Sequence, residues 1–137
     1  MVYLKNKILC NQIIKPDFFK NCDIDKLLDL RDCEAFDCEW MRVYNYLDSI
    51  EIESYELTEI DDIREQSFMV AYTVSNSSDI ASCVSDDFEI ICKAYLCGYN
   101  DKWLSALVMS YVDSKFPCGN LQMVNYDTKE CVEKLFA

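Results

Sequence analysis

A chain of 137 residues that is 51% apolar and 28% charged is long enough for one domain with a real core, and too apolar to stay disordered. Thirteen basic against twenty-five acidic residues leave a net charge of −12. That balance excludes phosphate recognition by clustered Lys and Arg, and docking on acidic lipid. Histidine is absent, which removes His-activated nucleophiles, His general bases and His metal ligands.

Two glycines and two prolines in the whole chain argue for a few long helices rather than many turns. Residues 2–14, with Leu4, Ile8, Leu9 and Ile13 among lysines, suit a short helix or an extended arm, interrupted by Pro16. Asp23 is placed to cap a helix that carries Ile24, Leu27, Leu28 and Arg31 on one side. Trp40, Val43, Tyr44 and Leu47 then fall at helical spacing, which predicts an amphipathic helix over 36–49. "EIESYEL" alternates apolar and acidic residues and reads as a connector. From Thr58, with Asp61 as its capping partner, Ile60, Ile63, Ser67, Val70 and Ala71 describe a helix to about Val74.

"SNSSD" at 75–79 is a loop from which Ser78 or Asp79 caps the next helix. In that helix Ile80, Val84, Phe88, Ile91, Cys92, Tyr95 and Leu96 follow a 3.6-residue period to Gly98, a left-handed C-terminal stop. Asp61/Asp62 and Asp86/Asp87 read as acidic residues near helix starts, where the dipole favours them. Asn100 or Asp101 then opens "KWLSALVMSYV", a segment apolar on nearly every face, as only a helix enclosed by other elements can be. Pro117 and Gly119 close it, and one or two short helices finish the chain. The expected architecture is all-α: one helical-bundle domain over 1–137, with a central hydrophobic helix near 101–116.

The nine cysteines include no C-x-x-C pair, their number is odd, and "MVYLKNKILCNQII" lacks the apolar run of a secretory signal. Free thiols in a reducing compartment are the expectation. No stretch approaches the roughly 20 apolar residues of a membrane span. Gly98 and Gly119 are too far apart to build a phosphate-cradling loop, and no cofactor or metal site is expected. A non-enzymatic protein follows from these readings.

"FEIICKAYLCGYNDKWLSALVM", residues 88–109, resembles the first homology motif of the Bcl-2 family: Phe88, Ile91, Tyr95, Leu96, Gly98, Asn100 and Trp103 fall in corresponding places. "LTEIDD" is similar to the family's third motif through Leu57 and Asp62, with Asp61 where a small residue is usual. "RVYNYLDSIEI" looks like the first helix of poxviral members, so the resemblance covers about 40–116 and leaves 1–35 as an N-terminal extension to a 36–137 core. Leu104 and Ser105 replace the glycine and arginine that normally follow the tryptophan, and neither the second motif nor a membrane tail is recognisable.

The resemblance implies a viral-type apoptosis inhibitor, soluble in the host cytoplasm, that sequesters the BH3 helix of a Bim-like pro-apoptotic protein in a hydrophobic groove. The groove residues implied are Phe68, Tyr72, Phe88, Ile91, Tyr95, Tyr99, Trp103 and Leu107, with Arg64 or Lys102 standing in for the missing arginine. The alternative within the same fold is an interaction module that inhibits innate immune signalling without binding BH3 peptides. A homodimer through Trp40, Tyr44 and Tyr46 is compatible with both.

Overall fold

The computed structural model describes residues 1–137 as seven helices: α1 (Val2–Leu9), α2 (Ile24–Asp32), α3 (Glu34–Asp48), α4 (Ser54–Ser75), α5 (Ser78–Cys97), α6 (Lys102–Val112) and α7 (Thr128–Phe136). There is no strand. The all-α expectation is met, and one apolar cluster runs through all the elements.

The centre is α6. Trp103, Leu104, Ser105, Ala106, Leu107, Val108 and Tyr111 are buried; Lys102 at the start is exposed, and the strip carrying Met109, Ser110 and Val112 is partly open. Its C-terminal half is wedged by aromatic rings, with Phe88 of α5 5.2 Å and Phe18 6.2 Å from Tyr111. Trp103 meets Phe36 of α3 edge-on at 5.2 Å. Burial on this scale, at roughly 25 cal/mol per Å² of apolar surface, is the main force holding the bundle closed.

The helix boundaries depart from the sequence reading at identifiable points. Helix α4 begins at Ser54, so half of the proposed connector is helical and Thr58 is no cap: its hydroxyl donates to the Ser54 carbonyl one turn back. Asn76 in the left-handed region (φ 56°) ends α4, and Ser77, one residue before the proposed caps, accepts from the Ile80 amide at 3.2 Å to start α5. Two residues between the helices enforce an antiparallel α4–α5 hairpin, the most extensively packed helix pair in the fold. The acidic pairs Asp61/Asp62 and Asp86/Asp87 lie inside α4 and α5, well past the first turns where the dipole would favour them. Two residues expected at helix ends behave as such: Asp23 caps the start of α2, and Gly98 (φ 72°) ends α5.

Residues 1–35 are not an appendage to the core. Leu4 and Ile8 of α1 are fully buried against α4 and α7, and Ile13, Ile14, Phe18 and Phe19 enter the same cluster from the segment around Pro16. A single helix, α7, follows an irregular run over 113–127, and Cys131, Val132 and Leu135 seal the far side of α6. All nine thiols are unpaired. Burial pushes the Cys92 thiol up to about 12, so it is an inert core residue. No helix is long and apolar enough to cross a membrane.

Candidate functional site

Two polar assemblies fix the scaffold. In the first, Asp87 of α5 is wholly buried and accepts four hydrogen bonds from three elements. Arg31 of α2 binds it in a fork, Nη1 to Oδ2 at 2.8 Å and Nη2 to Oδ1 at 2.9 Å. Trp40 Nε1 of α3 donates to Oδ1 at 2.9 Å and the Tyr111 hydroxyl of α6 to Oδ2 at 2.6 Å. Arg31 also donates to the Pro117 carbonyl at 3.2 Å and lies over the rings of Phe36 and Phe116, 4.4 and 5.3 Å from their centroids. Burial works against the charged guanidinium, but the Asp87 carboxylate outweighs it and holds the Arg31 pKa above its ordinary value. Burial, then the same carboxylate, pushes the Tyr111 hydroxyl well up, so Tyr111 stays a donor. Every lone-pair direction of Asp87 is used inside the protein, which makes the cluster structural rather than an open site.

The second assembly is the turn between α5 and α6. Asp101 Oδ1 caps α6 by accepting from the Leu104 amide at 2.9 Å, and Arg42 of α3 binds the same carboxylate at 2.8 Å. The buried Thr128 hydroxyl accepts from the Asp101 amide at 2.9 Å and lies 2.8 Å from the Ser105 hydroxyl. Ser105, where the resemblance would place an arginine, is therefore buried and joins α6 to the start of α7.

Burial acts to raise the Asp101 carboxyl, but the Arg42 and Leu104 donors outweigh it and hold its pKa below the usual range. A depressed folded pKa means a stabilising contribution that is complete above the unfolded value, about 3.9, and lost as the pH falls through the folded one. Asp101→Ala is expected to cost about 1–2 kcal/mol in urea denaturation at neutral pH. The gap to the wild-type chain should hold down to about pH 5 and close below about pH 4; a gap that widens in acid would contradict this assignment.

The eight residues implied for a groove do not share one surface. Phe88, Ile91, Trp103 and Leu107 are core residues packed among the chain's own helices. Tyr95 meets Phe136 of α7 at 5.2 Å, and Tyr99 stacks on Tyr46 at 4.4 Å. Of the eight, Tyr72 is the exposed one; the half-buried Phe68 stacks beside it, their rings parallel within 4° on successive turns of α4. Arg64 is taken up by Asp86 (2.8 Å) and Glu89 (3.1 Å), while Lys102 is exposed on the first turn of α6. In the aromatic set on α3, Trp40 and Tyr44 are half-buried and stacked 5.3 Å apart, leaving Tyr46 as the exposed member. No group of three or more Cys, Asp or Glu side chains is placed to share a metal ion.

One furrow that opens outward runs between α4 and α5, lined by Asp61, Arg64, Glu65, Phe68, Met69 and Ser85. Helical spacing puts Asp61, Glu65, Phe68, Met69 and Tyr72 on adjoining turns of one side. Met69 is 55% and Tyr72 46% exposed, large values for side chains of this size. This surface lies in the most acidic part of the chain. Residues 43–92 hold twelve of the twenty-five acidic residues but, in Arg64, only one of the thirteen basic ones, so eleven of the twelve units of net negative charge reside there. A running charge sum along the sequence is the signal that would have found it.

Taken together, the chain is an all-helical domain with a locked interior and an acidic, partly apolar outer face. The family model described as Immunity protein PIM1 matches residues 3–118, from α1 through α6 to the loop beyond it, and the chain belongs to that family. The matching family is not the Bcl-2 family. No curated protein matches the chain. The match stops before α7, although α7 completes the core.

Proposed function

We propose that the chain is an immunity protein in the ordinary sense of the word: it protects a cell by binding a toxic protein and blocking it, without chemistry of its own. Membership of the immunity-protein family over most of the chain carries this reading. The absence of histidine, the inert buried thiols and the inward-facing Asp87 cluster agree with a role in binding rather than catalysis. Growth of cells challenged in turn with the toxins of the strain that carries the gene is expected to be restored by this chain against one of them. Growth no better than with an unrelated acidic helical protein, for every toxin, overturns the proposal.

The narrower reading, capture of a BH3 helix, rests on the sequence resemblance and on Tyr72, exposed among its eight groove residues with Phe68 stacked beside it. Titration with a panel of BH3 peptides separates the two. Affinity weaker than about 10 μM for all of them, roughly −7 kcal/mol, removes it and leaves the immunity reading standing. Self-association, through the exposed Tyr46 or any other face, is measured by light scattering on the same sample.

A further inference from the structure

Resting on the immunity reading, we infer that the outer side of α4 is the surface that meets the partner, and that it takes a segment in which Lys or Arg residues flank apolar anchors. Charge and shape both point there. Eleven of the twelve net negative charges lie within residues 43–92, which the α4–α5 hairpin dominates. Several of those carboxylates are already neutralised inside the fold: Asp62 by Lys5, Asp86 and Glu89 by Arg64, Glu89 also by Lys93, and Asp87 by Arg31. Asp61 and Glu65 are among the eight that are not, and they are the two of these that line the furrow; both are exposed and make neither an ion pair nor a side-chain hydrogen bond.

Directly beside these free charges, Met69 and Tyr72 offer apolar surface that the fold leaves uncovered, and the half-buried Phe68 stacks on Tyr72 beneath them. Unpaired carboxylates next to exposed aromatic and thioether groups favour a partner that supplies cations and buried anchors at once. The field steers the encounter, and the apolar centre holds the complex. An acidic or purely apolar segment would leave Asp61 and Glu65 uncompensated against the interface.

The test uses the full chain and two synthetic peptides of the same length and helical spacing, one of leucine and lysine and the other of leucine and glutamate. Amide NMR shifts are expected to move first at residues 61–72 with the lysine peptide and not with the glutamate one. In Asp61→Lys/Glu65→Lys the lysine peptide should bind about tenfold more weakly, with the melting temperature unchanged because neither side chain has a partner to lose. Shifts spread over all acidic surfaces alike, or equal affinity in the double variant, overturn the inference. In the toxin challenge that the wild-type chain passes, the double variant is expected to lose protection. Full protection by the variant sinks the surface assignment alone, whereas failure of the wild-type chain against every toxin sinks the immunity reading and leaves the peptide result to decide the surface.

Discussion

Asp87→Ala is expected to lower stability by about 3–5 kcal/mol, because it strands a charged guanidinium in the interior. Arg31 cannot shed its proton, and its Nη atoms would face the gap left by the carboxylate with only the Pro117 carbonyl in reach. Trp40 Nε1 and the Tyr111 hydroxyl would lose their acceptor as well. Against a total of about 5–15 kcal/mol for a domain, that loss brings the chain close to unfolding at ordinary temperature.

The paired variant distinguishes this cause from simple loss of volume. Arg31→Met/Asp87→Leu should be more stable than Asp87→Ala alone, since it removes the uncompensated charge. It should still fall short of the wild-type chain, because each orphaned donor costs roughly 1–3 kcal/mol. Adding Tyr111→Phe is expected to recover part of the remainder. Urea denaturation of these proteins, with Arg31→Met and Asp87→Leu also measured singly, gives the comparison, and a double variant no better than the sum of those two changes would refute the account. The half-exposed Asp86–Arg64 pair is the contrast: breaking it should cost no more than about 1 kcal/mol.

Phe88→Ala should cost about 3–5 kcal/mol and Leu107→Ala about 2–5 kcal/mol, while Phe68→Ala and Tyr72→Ala stay below about 1.5 kcal/mol. The first two side chains are completely buried against α6 neighbours, so truncation leaves a cavity that a close-packed interior fills poorly. The second two stack on each other, Tyr72 exposed and Phe68 half-buried at the edge of the core, so water replaces much of what is removed. Their loss should appear in partner binding instead. Equal denaturation midpoints for Phe88→Ala and the wild-type chain would return Phe88 to the surface and undo the division between core and docking residues.

These two results bear on why the local resemblance at 88–109 reached further than the structure supports. A phenylalanine, a glycine stop and a tryptophan opening an apolar helix are what any helical hairpin needs when its second arm is enclosed. Gly98 supplies the left-handed turn, Asp101 the cap, and Trp103 a large side chain for the core. Such residues report on packing and carry little about function. The position that would have carried function, Ser105, instead binds Thr128, a partner 23 residues away that no local pattern could indicate.

The sequence by itself determined the helical class, five of the seven helices within a few residues, the stop at Gly98 and the enclosure of α6, because periodicity, capping and left-handed glycine are local physics. It also carried the charge segregation, since net charge along a chain needs no fold to be counted. Tertiary structure alone decided which members of each apolar stripe face inward. Phe68 and Phe88 are both phenylalanines within long helices, yet one is half-buried beside the exposed Tyr72 and the other lies fully inside against Tyr111. It likewise placed Asp87 in the interior, because a buried carboxylate is tolerable only where donors from α2, α3 and α6 converge on it. Long-range convergence of that kind is settled when the helices pack, and it decided what remained outside for a partner to meet.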